Sequence, residues 1–364
     1  MIKTPQPTGE YAVGTFTYSV YGKRNVSARI YYPVLKESVV GLEKARYMSR
    51  DMTKAITETF HVPMNYDRME AEGANRSECY INAPKIEGVG FPLVVFCHGL
   101  SSYREGSSFL CIEMASQGYV VLATGFQDVG VLTEYDDGTS AAFDKELSKK
   151  MYDPYFKGIF KLMKLMKEKG SDRDLAEKFD EYQKEYCRLL ISRISDCEQD
   201  VLAAVGYAKE NLYDLIDFST GIAVTGHSLG GVTAYALCLE NSEFVCGINI
   251  DGASFGNTMG KTLEKPFLLL CCKGNESVET RFLIDHKSTV YKAVFKDMKH
   301  IGFVDLKFFI PVKGISGKMP ADVMHRNECI CFLEFLDAYL KKKKSTPAFT
   351  SNDEVAFKIY EPDV

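Results

Sequence analysis

Tryptophan is absent from this chain of 364 residues, and histidine occurs only six times. No apolar run approaches the length of about 18 residues that a membrane-spanning helix requires. The first ten residues lack the apolar segment of a signal peptide, so we expect none and predict a cytoplasmic protein. The scarcity of histidine also means that any chemistry based on an imidazole has few candidates.

The cysteine pattern and the charge exclude two further classes of protein. The eleven cysteines are scattered without C-x-x-C pairs, and an odd number does not suit a disulfide framework. We therefore expect free thiols, no metal site and no cofactor. The formal net charge of −5 lacks the basic excess of a nucleic-acid-binding protein, so we expect no nucleic-acid partner.

Short apolar runs indicate the fold class. Residues 11–34 alternate in polarity around Tyr21-Gly22, which predicts a β-hairpin. From Phe91 onward, apolar runs alternate with helical segments, which predicts an α/β fold with a parallel sheet covered by helices on both faces. The predicted strands of this sheet are residues 92–96, 119–124, 221–225, 245–250, 267–272 and 290–295.

We predict a single domain over residues 1–364 with an insertion at residues 127–195, where no strand signal is visible. Within it, residues 145–170 place Phe156, Phe160, Met163 and Met166 at helical spacing, with lysines on the other face. One interpretation is a helical lid that touches a lipid surface or an acyl chain. The alternative is a solvated helix packed on the domain. The last 20 residues are predicted to be a tail.

The strongest functional signal is the sequence Gly226-His-Ser228-Leu-Gly-Gly231. It follows a predicted strand and precedes a predicted helix, which is the context of a nucleophile elbow. The glycines let the strand and the helix approach closely, and the turn exposes the serine hydroxyl at the edge of the sheet. Ser228 is therefore the predicted nucleophile, and the ring of the adjacent His227 is expected to point away from its hydroxyl.

A serine hydroxyl needs a positioned base, and His300 is the best candidate. It follows the strand predicted at residues 290–295, in a loop at the sheet edge where the serine is expected. His286 and His325 also follow the serine and remain alternatives. His61 and His98 precede it, against the chain order of such sites.

The carboxylate that orients the base has two main candidates. Asp251 ends the strand predicted at residues 245–250, 23 residues after Ser228, whereas Glu276 follows the next strand. Asp297 lies too close to His300 in sequence to face its ring easily. Spacing alone leaves Asp251 and Glu276 open. Either carboxylate would hold the imidazole tautomer and stabilise its cation.

An ester-cleaving serine also needs two backbone N–H groups that bind the oxyanion. One belongs to Leu229, the residue after the nucleophile. The second is expected from the loop after an early strand, where Phe96-Cys-His-Gly-Leu100 ends a predicted strand. Leu100 is the best candidate for the second donor.

Four motifs together are similar to those of the platelet-activating factor acetylhydrolase family. They are His98-Gly-Leu100, the elbow at residues 226–231, Ile250-Asp-Gly252 and Lys299-His-Ile-Gly-Phe-Val-Asp305. The resemblance extends in order from the N-terminal hairpin to His300. It implies the α/β-hydrolase fold. Together with the sequence pattern, we therefore expect a mostly parallel central sheet, helices on both faces and a helical lid insertion.

The same resemblance implies roles for five residues. Ser228 becomes the nucleophile, Asp251 the acid and His300 the base, while Leu100 and Leu229 become the oxyanion donors. Asp251 is thereby favoured over Glu276, because the family places its acid after the earlier strand.

The resemblance also implies an activity. Members of the family are calcium-independent serine phospholipases A2 that remove short or oxidised acyl chains from phospholipids. We therefore expect a serine carboxylic-ester hydrolase that acts on short, acetyl-like esters. The alternatives are a hydrolase of other small esters, lactones or peptides, of the dienelactone-hydrolase or peptidase type, and a non-catalytic binding protein. A weak contact of residues 145–170 with a membrane surface is also expected.

Overall fold

The computed structural model describes residues 4–310 and 313–362. The strands are β1 (Ala12–Val20), β2 (Val26–Val34), β3 (Lys44–Arg46), β4 (Arg76–Ile81), β5 (Leu93–Cys97), β6 (Val120–Phe126), β7 (Leu132–Glu134), β8 (Ser140–Ala142), β9 (Ile222–His227), β10 (Phe244–Ile250), β11 (Phe267–Cys272), β12 (Val290–Phe295) and β13 (Val355–Tyr360). The helices are α1 (Arg50–Phe60), α2 (Tyr66–Ala71), α3 (Ser108–Ser116), α4 (Lys145–Lys157), α5 (Ile159–Leu165), α6 (Asp172–Tyr186), α7 (Arg188–Asn211), α8 (Leu229–Glu240), α9 (Leu306–Phe309), α10 (Lys313–Ser316) and α11 (Ala321–Tyr339). None of the helices in these residue ranges combines the length and the apolarity needed to cross a bilayer.

Eleven strands form one sheet in the order β13-β12-β11-β10-β9-β5-β6-β2-β1-β4-β3. The six strands from β12 to β6 in this order are parallel neighbours. β1 and β2 form the predicted hairpin, and β2 joins the parallel strands by running antiparallel to β6. The predicted parallel sheet is confirmed, and its strands begin and end within two residues of the predicted positions.

Alternate residues of the central strands face two separate cores. In β5, Leu93, Val95 and Cys97 pack with apolar residues of α7 and α8, whereas Val94 and Phe96 pack with residues of α3 and α11. Because successive strand residues point to opposite faces, this division shows helices on both faces of the sheet. It explains why the strands read as continuous apolar runs rather than as alternating ones.

The carboxyl ends of the parallel strands meet at one edge of the sheet. The loops that leave this edge after β5, β9, β10, β11 and β12 carry Leu100, Ser228, Asp251, Asn275 and His300 respectively. β9 lies between β5 and β10. The sheet order therefore brings together residues that are far apart in the sequence, and all of them except Asn275 were predicted for the site.

The insertion at residues 127–195 has more regular structure than predicted. β7 and β8 pair as a separate two-stranded antiparallel sheet, so the prediction of no strands here is wrong. The predicted amphipathic helix is divided at Gly158 into α4 and α5. A Cβ at Gly158 would lie 2.6 Å from the ring of Tyr186, so only glycine lets α6 approach this closely.

The C-terminal residues are not the tail that we predicted. β13 pairs antiparallel with β12 along its whole length and extends the sheet at this edge. Phe357 of β13 stacks on Phe349, with ring centroids 4.8 Å apart. The strand exists because the edge of the sheet offers it backbone hydrogen bonds, which a local sequence pattern does not reveal.

Candidate active site

Ser228 lies in a strained turn between β9 and α8. Its φ of 57° and ψ of −119° fall outside the regions of backbone angles that residues other than glycine favour. This conformation costs about 1–3 kcal/mol. The turn fits only because its glycines lack side chains. A Cβ at Gly230 would overlap the carbonyl oxygen of Cys97, and one at Gly231 would overlap the Asn249 side chain. The elbow thus packs closely between β5 and β10, as the glycines in its sequence predict.

The structure brings the three predicted catalytic side chains into contact. The Oγ of Ser228 lies 2.9 Å from Nε2 of His300, and Nδ1 of His300 lies 2.7 Å from Oδ2 of Asp251. A carboxylate only accepts hydrogen bonds, so Nδ1 carries the proton and Nε2 can accept the hydrogen of the serine. The His300 side chain is 39% exposed, whereas that of Asp251 is fully buried.

Asp251 is held by more partners than His300. The backbone N–H of Cys272 donates to Oδ1 at 2.7 Å, and Nδ2 of Asn275 donates to Oδ2 at 3.0 Å. Burial works to raise the pKa of Asp251, but the hydrogen bond and charge of His300, together with the Cys272 N–H, outweigh it. The pKa therefore lies below its ordinary value, and the carboxylate stays ionised. No sequence signal pointed to Asn275 or to the Cys272 N–H.

The other candidates for base and acid lie elsewhere. Glu276 begins a short 3₁₀ turn, and the structure pairs the ring of His300 with Asp251 instead. Nδ1 of His286 lies 2.9 Å from the carbonyl oxygen of Ser288. His325 lies within α11, where its ring contacts Cys329. The geometry at Ser228 therefore involves Asp251 and His300 rather than these residues.

Both predicted oxyanion donors lie beside Ser228. Leu229 is the first residue of α8, so its N–H has no carbonyl partner within the helix. Leu100 follows Gly99, where a Cβ would lie only 3.0 Å from Cβ of Ser228. Both leucines also line the cavity in front of the serine. Their role as oxyanion donors stays a prediction.

The imidazole of His98 braces the loop that carries Leu100. Its Nδ1 lies 2.8 Å from the carbonyl oxygen of Gly99, and its Nε2 lies 3.1 Å from the backbone nitrogen of Phe126. The carbonyl can only accept and the amide can only donate, so the ring is neutral with its proton on Nδ1. Burial lowers the pKa of His98 to about 4. His98 is therefore a brace between β6 and this loop.

Asp305 joins the segment of His300 to the same loop. Its backbone N–H donates to the carbonyl oxygen of Gly106 at 2.8 Å, and its Oδ2 accepts from the N–H of Phe109 at 3.0 Å. Phe109 lies in the first turn of α3, where N–H groups lack partners within the helix. Burial raises the pKa of Asp305 well above its ordinary value. These bonds fix the position of the segment that carries His300 relative to the predicted oxyanion loop.

His227 lies next to His300, an arrangement that no sequence signal indicated. Its Nε2 lies 3.0 Å from the carbonyl oxygen of His300, and the two rings have centroids 4.6 Å apart. Burial lowers the pKa of His227 to about 3, and the charge of His300 acts in the same direction. The ring is therefore neutral, and its Nε2–H is the group that donates to the carbonyl.

A cavity of about 490 Å³ opens in front of Ser228. Apolar side chains supply most of its wall, among them Met151, Leu162, Met166, Phe179, Val232 and Phe255. None of the described residues that line it is a lysine or an arginine. The cavity therefore suits an apolar group beside Ser228, and it offers no cation to a buried phosphate.

The structure also describes the cysteines and the side chains that could bind a metal. All eleven cysteines lie in the described ranges and are buried and free. Within those ranges, no group of three or more His, Cys, Asp or Glu side chains is arranged to hold a metal ion.

Comparison with known protein sequences identifies similar proteins along most of the chain. The profile of the family described as "Platelet-activating factor acetylhydrolase, isoform II" matches residues 1–344. The platelet-activating factor acetylhydrolase of Cavia porcellus is 24% identical over 366 residues, which cover 95% of this chain and 80% of that protein. The Canis lupus familiaris protein of the same name is 28% identical over 270 residues, covering 68% of this chain and 55% of that protein.

Comparison with solved structures tests the fold. A ferulic acid esterase from Streptomyces cinnamoneus superposes with a TM-score of 0.66, covering 97% of this chain and 98% of that one. Sequence identity between the two is 19%, so the match concerns the fold alone. It confirms the predicted α/β-hydrolase fold.

Proposed function

The chain belongs to the platelet-activating factor acetylhydrolase, isoform II, family, and from this premise we propose that it is a serine hydrolase of short acyl esters. The names of the relatives and of the structural neighbour support ester hydrolysis as the general activity. The observation that carries the serine mechanism is the chain of contacts from Ser228 through His300 to Asp251.

The proposed reaction has two halves. In the first, His300 Nε2 removes the proton of the Ser228 hydroxyl while Oγ attacks the ester carbonyl carbon. The tetrahedral oxyanion is bound by the N–H groups of Leu100 and Leu229, and Asp251 stabilises the imidazolium. His300 then gives the proton to the leaving alcohol oxygen as the ester C–O bond breaks, which leaves an acyl group on Ser228.

In the second half, water replaces the alcohol. His300 takes a proton from the water as its oxygen attacks the acyl carbon, and the proton passes to Ser228 Oγ as the acyl bond breaks. The products are a carboxylic acid and the free enzyme. These steps use side chains of this chain and water.

We propose short-chain esters of phospholipids as one class of substrate. The apolar cavity at Ser228 accepts an acyl chain, and its wall lacks cations among the described residues. A phospholipid headgroup would therefore stay outside the cavity; the lysines of residues 145–170 are exposed, and none of them lines it.

Replacement of the nucleophile tests the proposal. We expect Ser228→Ala to lower the turnover of p-nitrophenyl acetate by at least about 10³-fold, because the attacking oxygen is removed. Ser219→Ala, which changes an exposed serine, serves as the matched control and is expected to keep wild-type turnover. Thermal unfolding of all three proteins shows whether they are folded. Near-normal turnover in folded Ser228→Ala would end the serine mechanism.

A series of substrates separates the proposed activity from its alternatives. We expect esters with acyl chains from acetyl upward to be cleaved faster than the matching amides. A preference for amides would indicate a peptidase. Absence of any turnover, with no labelling by a fluorophosphonate, would indicate a non-catalytic binding protein.

A further inference from the structure

Three large apolar side chains of the insertion point into solvent. Phe156 is 60% exposed, Phe160 83% and Met163 49%. They lie at spacings of four and three residues across the junction of α4 and α5, where Gly158 keeps right-handed helical backbone angles. Such spacing places them on one side of the helix pair. A contiguous exposed group of this kind, which we call the apolar ridge, is unusual on the surface of a protein without a binding role.

The segment that carries the apolar ridge is basic. Residues 145–170 contain eight lysines and three acidic residues, a net charge of +5, although the whole chain has a net charge of −5. All eight lysines are exposed. Lys161 is paired with Glu185 of the neighbouring α6, but the charge of the segment as a whole stays basic. An exposed apolar group flanked by lysines complements an anionic lipid surface.

The other side of the same helices faces the cavity. Met151, Tyr152 and Tyr155 of α4, together with Leu162 of α5, line it in front of Ser228. The helix pair therefore separates the apolar ridge from the candidate active site by a single layer. A bilayer that contacts the ridge would therefore lie one helix layer away from the cavity.

We propose that Phe156, Phe160 and Met163 insert into the surface of an anionic lipid bilayer while the surrounding lysines contact its headgroups. This partner deepens the proposed function, because it names the surface on which the ester would be met. Binding itself does not depend on catalysis and can be measured without it.

Co-sedimentation with vesicles tests the proposal. We expect the wild type to sediment with phosphatidylcholine vesicles that contain phosphatidylserine, and less so as salt is raised, because the lysine contacts are screened. The double variant F156S/F160S is expected to bind at least about tenfold more weakly, since two large side chains no longer leave water. The matched control is V40S/Y213S, which changes two side chains that are 83% and 74% exposed outside the insertion. It is expected to bind like the wild type.

Turnover of a soluble ester keeps this proposal separate from the proposed function. F156S/F160S is expected to hydrolyse p-nitrophenyl acetate like the wild type, because neither phenylalanine lines the cavity. Equal sedimentation of the wild type and F156S/F160S would overturn the proposal, as would failure of the wild type to bind the vesicles that contain phosphatidylserine. A wild-type dimer in solution that F156S/F160S dissociates would also overturn it, by assigning the apolar ridge to a second copy of the chain. Loss of soluble-ester turnover in Ser228→Ala bears only on the catalytic mechanism.

A second, independent inference concerns His227. Its ring is 4% exposed, and its Nε2–H donates to the backbone carbonyl of His300 rather than to a side chain. Its Nδ1 is buried without a hydrogen-bond partner among the described residues, so the Nε2 bond is the polar contact that orients the ring. Because His227 directly precedes Ser228 in the chain, this bond connects the backbone of His300 to the turn that carries the nucleophile.

We infer that His227 is a positioning residue, which aligns Nε2 of His300 with Ser228 Oγ by holding the His300 backbone. This role rests on the proposed serine mechanism. Because it acts on alignment, its loss is expected to lower kcat and to leave KM nearly unchanged.

Three substitutions distinguish alignment from simple packing. His227→Phe fills the space without a donor, and we expect kcat for p-nitrophenyl acetate to fall about 10- to 100-fold with KM within about twofold. His227→Gln can place an N–H near the position of Nε2 and is expected to restore most of kcat. His227→Asn, which is too short to reach the His300 carbonyl, is expected to be impaired like His227→Phe and serves if the latter fails to fold.

The result that would overturn this inference is unchanged kcat in folded His227→Phe, or equal kcat in His227→Gln and His227→Phe at equal thermal stability. Ser228→Ala is measured alongside. If Ser228→Ala keeps its turnover, the serine mechanism itself fails, and the two failures are thus distinguishable.

Discussion

Asp251 and Ser228 both have positive φ angles, of 53° and 57° respectively. Such backbone conformations are costly for residues other than glycine, and they persist only where neighbouring groups hold them. For Asp251, those groups are the N–H of Cys272, the amide of Asn275 and the ring of His300. The geometry of Asp251 is therefore maintained by β11 and the loop after it as much as by its own strand.

Asn275 offers a test of this support. We expect Asn275→Ala to lower kcat for a soluble ester about tenfold, because the carboxylate that orients His300 loses a charged hydrogen bond. Steady-state kinetics measure the change, with exposed Asn257→Ala as the matched control. Unchanged kcat in folded Asn275→Ala would show that the other two bonds suffice.

Residues of the site differ in how well the sequence predicts them. Ser228 was predictable because an elbow needs glycines at fixed positions, and His300 because few histidines follow the serine. Asn275 could not be predicted, because an asparagine in a loop carries no pattern and its contact with Asp251 depends on the order of the strands. The position of the His227 ring likewise depends on the path of the chain at His300.

Among the elements, the loop after β5 is held by buried groups on two sides. His98 binds it to the end of β6, and Asp305 binds it to the segment of His300. The low pKa of His98, about 4, has a consequence for stability. Below a pH of about 6.5 the unfolded chain takes up a proton at this ring, whereas the folded protein does not until about pH 4. The folded state therefore loses stability as the pH falls through this window.

His98→Gln tests the linkage. Between about pH 7 and about pH 4, the free energy of unfolding of the wild type is expected to fall by up to about 3 kcal/mol more than that of the variant. The reason is that the glutamine of the variant binds no proton in the unfolded state, whereas His98 does. Urea unfolding at a series of pH values measures both proteins, and the difference in slope is informative even if the variant is less stable at neutral pH. Parallel pH dependences would contradict the account of His98 as a neutral brace.

Elements with strong local patterns were predictable, and those formed by pairing were not. The six parallel strands have continuous apolar runs because both of their faces are buried. β13 has one neighbour in the sheet and only Val355 fully buried, so its six residues resemble a tail. β7 and β8 are three residues each, which is too short for a period to be visible.

In the whole molecule, the cavity lies between two separate hydrophobic clusters. Tyr103 and Val304 belong to a cluster that includes apolar residues of α1. Leu162 and Phe179 belong to a cluster formed mainly by the insertion. All four line the cavity. The insertion thus supplies one wall of the candidate site. Under the proposed function, it helps to determine which acyl chains fit.

Ala253 lines the cavity and packs against the cluster in the insertion. We expect Ala253→Phe to lower kcat/KM for an octanoyl ester about tenfold or more and to change that for an acetyl ester by no more than about twofold, since it fills space that only the longer chain needs. Ala253→Ser, which is similar in size to the wild type, is the control. Measurement of acetyl to octanoyl esters shows the profile, and equal losses for all chain lengths would contradict a role in chain selection.

The central claim is that Ser228 is a nucleophile activated by His300. The most direct measurement is labelling of the purified protein with a fluorophosphonate, followed by mass spectrometry to locate the adduct. The account predicts one phosphonyl group on Ser228, formed much more slowly in His300→Ala. Labelling at another residue, or hydrolysis of esters by a protein whose Ser228 remains unlabelled, would contradict it.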